Sequence, residues 1–316
     1  MRVVLAADLG ATNIRAALVS EDGRVLEIRR SPTPRKGVVD ALVKLVEDMA
    51  GRASSMGLAS VGPMDVRRGV LLSPPNLEER GEIDVVGELR ERLGVNVVLL
   101  NDAVAGAIGE WIYGAGKGLT DLVYLTFSTG LGAGVIVGGR PLLGRRGNAH
   151  EVGHMVVDYL GRIRCGCGGV GHWEAYCSGS GLPKLASLLA RERPELRGRL
   201  MREMELGASP DAPSIFRAAR EGDPLALEVV REFSRITAAG IASVAAAYDP
   251  ELVILGGPVY LRNRDLVDGL IMEYLPKYSL DGPPPLVPAA LEDLSSVMGA
   301  AAAALRPSLA DPTQTQ

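Results

Sequence analysis

The chain has 316 residues, more than one compact core usually holds, and 47% of them are hydrophobic, enough for two domains of roughly 100 to 200 residues each. Its 34 basic and 38 acidic residues leave a formal charge of -4, which argues against an electrostatic footprint for nucleic acid or an anionic membrane. Three Cys make no disulfide framework, no window reaches about 18 uninterrupted apolar residues and the start lacks signal-peptide zoning, so a cytoplasmic protein is expected.

The first elements read strand, loop, strand: residues 3 to 7, the turn Asp8-Leu9-Gly10-Ala11-Thr12-Asn13, then residues 14 to 20, with Asp22-Gly23 turning into a strand from 25 to 28. Apolar spacing predicts a helix over 38–49, a buried strand over 58–61 and a loop at Ser73-Pro74-Pro75-Asn76, where proline forbids helix. The apolar run 95–100 predicts a short buried strand, followed by a helix over 103–113 that ends in Gly114, Gly116 and Gly118. A domain boundary is expected there. Beyond it a second strand, loop, strand follows: 122–127, Ser128-Thr129-Gly130-Leu131-Gly132, then 133–137. Shifted by 120 residues, Val123 falls on Val3, Ser128 on Asp8 and Gly130 on Gly10, the trace of an internal duplication. Residues 155–157 have strand character; Asp223-Pro224 caps a long helix reaching Ala246, 252–255 is a buried strand leading to Gly256-Gly257, and 297–305 is a last helix.

Two common nucleotide templates fail. Gly114-Ala115-Gly116-Lys117-Gly118 lacks the leading glycine and the hydroxyl residue of a P-loop, and Gly130-Leu131-Gly132-Ala133-Gly134 puts its third glycine one position early for a dinucleotide fingerprint. The paired hairpin turns suit a different device, in which backbone N–H groups and hydroxyls take phosphates and Asp8 holds Mg²⁺ through water. Asn101-Asp102 stands at a strand-to-helix junction, where it reads either as a helix cap or as the carboxylate that phosphoryl transfer to an alcohol requires.

Every His and Cys of the chain lies between His150 and Cys177. His150-Glu151-Val152-Gly153-His154 matches the zinc-protease letters, but Gly153 and the flanking residues weaken the helix that motif needs. Cys165 and Cys167, turned through glycine, together with His172 and His154 supply four ligands for tetrahedral zinc, a closed site that shapes a loop.

Together these motifs resemble the ROK family of sugar kinases and repressors, in the actin, hexokinase and Hsp70 superfamily. The resemblance rests on Asp8-Leu9-Gly10-Ala11-Thr12-Asn13, Ser73-Pro74-Pro75-Asn76-Leu77, Asn101-Asp102, Ser128-Thr129-Gly130-Leu131-Gly132, Glu151-Val152-Gly153-His154, Cys165-Gly166-Cys167-Gly168 with Glu174, and Gly256-Gly257. It implies an α/β fold of two actin-like, ribonuclease H-like domains around a central cleft. The expected division is a small domain over 1–115 completed by a C-terminal helix at 296–306, a large domain over 116–295 carrying a zinc loop at 150–177, and a disordered tail at 307–316.

The resemblance also implies transfer of the γ-phosphoryl of Mg-ATP to a hexose, usually at the 6-hydroxyl of glucose, with Asp102 as general base. Asn76, Asn101, Asp102, Glu151, His154 and Glu174 are then the sugar ligands. Asp8, Gly10, Thr12, Asn13, Ser128, Thr129, Gly130, Gly256 and Gly257 are the ATP residues, and His154, Cys165, Cys167 and His172 hold a structural Zn²⁺. The family pattern has cysteine where this chain has His172, which leaves Cys177 as a substitute ligand. Other readings are a kinase for N-acetylmannosamine, fructose or mannose, a non-catalytic sugar-binding regulator, and the metalloprotease. The chain starts directly with the first hairpin, without the winged helix of the family's repressors, so an enzyme is expected; partners are hexose and ATP, neither nucleic acid nor membrane, and a homo-oligomer, dimer or tetramer.

Overall fold

Strands buried on both faces need no alternation, and the apolar opening of the chain forms such a strand. The computed structural model describes residues 2–74, 77–78, 81–145 and 147–311. In it β1 (Val3–Leu9), β2 (Asn13–Ser20) and β3 (Val25–Pro32) make an antiparallel meander, with Asp8 opposite Arg15. Helix α1 (Val38–Ala50) lays Val38, Leu42, Val46 and Met49 on the sheet at helical spacing, and all four are buried. β4 (Ser55–Ser60) follows, then a small sheet of β5 (Met64–Asp65), β6 (Val70–Leu72) and β7 (Glu82–Ile83). Helix α2 (Val85–Leu93), capped by the Asp84 side chain on Gly87 N–H, leads to β8 (Asn96–Asn101) and α3 (Asp102–Tyr113). The first sheet has the order β3-β2-β1-β4-β8.

Next come β9 (Leu122–Phe127), β10 (Leu131–Val137) and β11 (Arg140–Pro141). A helical series follows: α4 (Glu174–Cys177), α5 (Leu182–Glu192), α6 (Arg199–Glu205), α7 (Ala212–Arg220) and α8 (Pro224–Tyr248). Asp223 caps α8 through Ala226 N–H, and Asp249 ends it with a left-handed φ of 45°. β12 (Leu252–Gly256), α9 (Pro258–Leu261), α10 (Arg264–Tyr278), β13 (Leu286–Pro288) and α11 (Ser295–Leu305) complete the chain. The second sheet reads β11-β10-β9-β12-β13, the same order of third, second, first, fourth and fifth strand as the first sheet. The register of the two hairpins seen in the sequence therefore extends to whole sheets.

The chain divides into two compact units, one of Met1–Tyr124, Gly134–His150 and Ala289–Gln316, the other of Leu125–Ala133 and Glu151–Pro288. The first unit runs past the boundary expected at 115–116. Trp111 Nε1 donates to Leu119 O at 2.8 Å and Ala115 N–H to Glu110 Oε2 at 2.9 Å, so the glycine-rich stretch stays on α3. In the same unit the alanine-rich α11 lies against α3, β1 and β4, where Ser55 Oγ donates to Ala304 O and Ser296 Oγ to Asp102 O. Glu110, fully buried, accepts from Ala290 N–H, Leu291 N–H and Ser295 Oγ as well as Ala115 N–H, which meets the requirement for satisfying a buried carboxylate.

Some local expectations change. Leu131 and Gly132 belong to β10 rather than to the loop before it, and β4 covers 55–60 instead of 58–61. Residues 155–157 form no strand, because only Val156 bridges to His172. Pro307–Ala310, expected within the disordered tail, forms a 3₁₀ turn that buries Ala310. Among the described residues no helix is long and apolar enough to cross a membrane.

Candidate active site

In the first unit, β1, β4 and β8 are parallel, with Asp8 level with Ala59 and Ala59 level with Leu100. Neighbouring strands lie about 4.8 Å apart, so Asp8 and the end of β8 are roughly 10 Å apart along one edge of the sheet. The carboxyl edge of parallel strands is where open α/β sheets bind ligands. Asp8 is 5% exposed, and Arg15 Nη1 reaches its Oδ2 at 3.1 Å. Burial pushes the carboxyl up to about 6 from its ordinary 3.8, against the lowering effect of Arg15. The turn after it is pinned from below: Gly10 N–H donates to Asn13 O, Thr33 Oγ1 to Gly10 O and Thr33 N–H to Thr12 O. Thr12 and Asn13 are left exposed at the tip.

At the Asn101-Asp102 junction the structure shows the helix cap. Asn101 is the cap of α3, its Oδ1 accepting from Ala103 N–H at 2.9 Å and Val104 N–H at 3.3 Å. Asp102, the first helical residue, is half-buried; its Oδ1 accepts from Ala103 N–H at 2.8 Å. Its backbone is held by Ser296.

In the second unit, Ser128 N–H donates to Gly130 O at 2.9 Å across the loop between β9 and β10. Gly256 ends β12 and Gly257 follows it, packed against Phe127 just before this loop. Gly257 has φ 82°, and a Cβ there would come within 2.4 Å of Phe127 O, so no other residue fits. Glu174 Oε2 accepts from Leu131 N–H at 3.0 Å, and Cys165 Sγ approaches Glu174 Oε1 at 3.4 Å. His154 faces two ways, with Nδ1 3.9 Å from Cys165 Sγ and Nε2 3.7 Å from Glu151 Oε2. Glu151, His154 and Glu174 therefore share one neighbourhood.

The ligand atoms of His154, Cys165, Cys167 and His172 all lie within 4.8 Å of one another. Ligands of tetrahedral zinc at about 2.0 to 2.3 Å stand roughly 3.3 to 3.8 Å apart, so a small contraction would seat an ion among two imidazoles and two thiolates. The Cys-Gly-Cys turn is built by Gly168 N–H donating to Cys165 O and Cys165 N–H to Gly169 O. Cys177 is no substitute: it is fully buried in α4, its Sγ lies 3.6 Å from Phe233 O, and burial pushes its thiol up to about 12. The metalloprotease pattern fails on geometry. Residues 152–154 form one 3₁₀ turn, not a helix carrying two ligands on one face, and the buried His150 spends Nε2 on Gly147 O at 2.6 Å.

Asn76 lies outside the described residues. Sequence reasoning missed Arg15, which could have been found as the hairpin partner of Asp8. It also missed Asp158 and Tyr176, whose hydroxyl donates to Asp158 Oδ2 at 2.5 Å and accepts Ile163 N–H at 3.1 Å. With Arg162 Nε on the same carboxylate oxygen, they brace the loop that carries Cys165. No local spacing announces that triad.

A sequence profile described as the ROK family matches residues 4–306. Over 317 aligned positions the chain is 44% identical to the glucokinase of Aeropyrum pernix, covering 97% of this chain and 98% of that one. It is 38% identical to the glucokinase of Pyrobaculum calidifontis, covering 97% and 96%. Among solved structures, a ROK family glucokinase from Streptomyces griseus in complex with glucose and AMPPNP matches with a TM-score of 0.80 at 34% identity, covering 96% of this chain and 99% of that one.

Proposed function

Since the chain belongs to the ROK family, we propose that it transfers the γ-phosphoryl group of ATP to a hexose, with glucose at its 6-hydroxyl as the principal substrate. One observation carries this: the end-to-end match to the Aeropyrum pernix glucokinase at 44% identity. The two-unit α/β fold and the carboxylates at the edge of the first sheet agree with it.

In this reading Asp102 accepts the proton of the attacking 6-hydroxyl. Proton removal in the transition state asks for one carboxylate within hydrogen-bond reach, and the cap at Asn101 together with Ser296 fixes the backbone that carries it. Asn76, the Nδ2 of Asn101, Glu151, His154 and Glu174 take the sugar hydroxyls; a site of carboxylates and amides rejects sugars that leave them unpaired. The hairpin turns at Gly10–Asn13 and Ser128–Gly130 would take the phosphates of Mg-ATP, Asp8 would hold its magnesium, and Gly256-Gly257 would lie by the nucleoside.

His154, Cys165, Cys167 and His172 would hold zinc, whose role with four protein ligands is to brace the loop. His154 then presents Nδ1 to the metal and Nε2 to the sugar side, where Glu151 lies. A zinc content below half an equivalent in purified, folded protein would remove this assignment. The protein is proposed to work in the cytoplasm as a homo-oligomer, which light scattering can check.

The test is coupled ADP release with glucose, mannose, fructose, glucosamine, N-acetylglucosamine and N-acetylmannosamine. Sugar-dependent release with glucose preferred is expected. Release with none of them would overturn the kinase, and preference for another sugar would overturn glucose.

A further inference from the structure

The segment that follows His172 reaches back onto the loop between β9 and β10. Gly179 N–H donates to Ser128 O at 2.7 Å, Ser180 N–H donates to Thr129 O at 3.1 Å, and Glu174 Oε2 accepts Leu131 N–H at 3.0 Å. From the other side Gly153, next to His154, packs so closely that a Cβ on it would stand 2.1 Å from Leu131 O. Two of the loop's three residues, and Leu131 at the start of β10, are thus fastened by 174–180, and the third, Gly130, lies under the Glu174 carboxylate, where a Cβ would meet Oε2 at 2.6 Å.

Both fastening stretches are tied to the Cys/His cluster. His154 immediately follows Gly153, Ala175 N–H donates to His172 O, and Trp173 N–H donates to Met155 O. The Trp173 ring, fully buried, meets Phe127 edge-on at 6.0 Å, one residue before the loop. A turn held by main-chain bonds from another loop is only as well ordered as that loop. The ligand-bearing segment contains few long elements of its own: one 3₁₀ turn, isolated bridges and the short α4.

We infer that the Cys/His cluster positions the nucleotide as well as the sugar: by ordering 153–180 it sets the shape of the 128–131 phosphate turn, so metal occupancy governs ATP affinity even without sugar. Gly179 and Glu174 act as positioning residues toward that turn. The inference deepens the kinase reading and rests on it.

The experiment is calorimetric titration of Mg-AMPPNP, without sugar, into zinc-loaded protein and into protein stripped with phenanthroline and shown to be folded by circular dichroism. Stripping is expected to weaken binding by about tenfold, the effect of losing one or two well-placed hydrogen bonds. In zinc-loaded protein, Gly179→Ala puts a Cβ 2.9 Å from Ser128 O. This variant is expected to weaken Mg-AMPPNP by about the same factor, while glucose affinity, read by tryptophan fluorescence, stays within about twofold. That split is what general loosening of the fold would not give. Equal nucleotide affinity in the loaded and stripped forms overturns the inference. So does a Gly179→Ala protein that keeps nucleotide affinity or loses both affinities alike, and this arm decides the matter if stripping unfolds the chain. A wild-type, zinc-loaded protein that binds no Mg-AMPPNP overturns the kinase reading itself.

Discussion

Asp8 is held in a state that costs stability, and replacing it by asparagine measures the cost. Its carboxyl is raised from 3.8 to about 6 because it is buried, although Arg15 pulls the other way. A raised carboxyl keeps its proton in the folded chain at pH values where the unfolded chain has lost it, so this residue makes the protein less stable as pH rises from about 3.8 to 6. Above 6 both states are ionised and the deficit is constant. At 1.36 kcal/mol per pH unit, that span amounts to about 3 kcal/mol. Asp8→Asn stays neutral throughout and gives up the charged contact with Arg15, so its gain at pH 7.5 should be about 1 to 3 kcal/mol, and near zero at pH 4. Scanning calorimetry of both proteins at pH 4, 5, 6 and 7.5 should show the two unfolding temperatures separating as pH rises, by a few degrees at the top. Activity should move oppositely, with turnover lost in Asp8→Asn and kcat/KM for ATP in the wild type falling below about pH 6 as the carboxyl takes its proton. A gain as large at pH 4 as at pH 7.5, or no gain at 7.5, would refute the reasoning from burial.

Asp102→Ala should lower kcat by about 10² to 10⁴ while KM for glucose changes only a few-fold, measured by coupled ADP release; near wild-type turnover would dismiss it as the base. Tyr176→Phe removes the donor to Asp158 and the acceptor for Ile163 N–H, both buried, and should cost about 1 to 3 kcal/mol, with faster amide exchange over 158–163. Unchanged exchange there would mean that the triad does not brace the loop. Glu110→Leu strands the N–H groups of Ala115, Ala290 and Leu291, and should destabilise by about 3 kcal/mol or more in denaturant unfolding. A loss below about 0.5 kcal/mol would show that water replaces the carboxylate.

Much of this protein is legible without coordinates because its signals are local. Runs of apolar residues mark β1, β8, β9 and β12; Asp223-Pro224 caps α8, and Asn101 caps α3. The spacing of His154, Cys165, Cys167 and His172 already proposes four metal ligands, since a turn through glycine brings near neighbours in sequence together. Even the equal order of the two sheets is foreshadowed by the hairpins 120 residues apart. Helix α7 carries an equally local signal, an Asp211 cap followed by Ala212, Ile215, Phe216 and Ala219 buried at helical spacing.

Tertiary packing decided what depends on residues distant along the chain. The sequence alone left Cys177 open as a metal ligand; the structure removes it by burying it against Phe233, because a thiol inside α4 cannot also face the Cys-Gly-Cys turn. Gly130 lies beside the Glu174 carboxylate, a contact between residues 44 apart in the chain that no local spacing announces. The raised carboxyl of Asp8 likewise follows from the sheet and helices that exclude water from it, a property no neighbour in sequence carries. Periodicity and spacing determine which chemistry is present; burial and long-range contacts, which exist only in the folded chain, determine what each group can do with it.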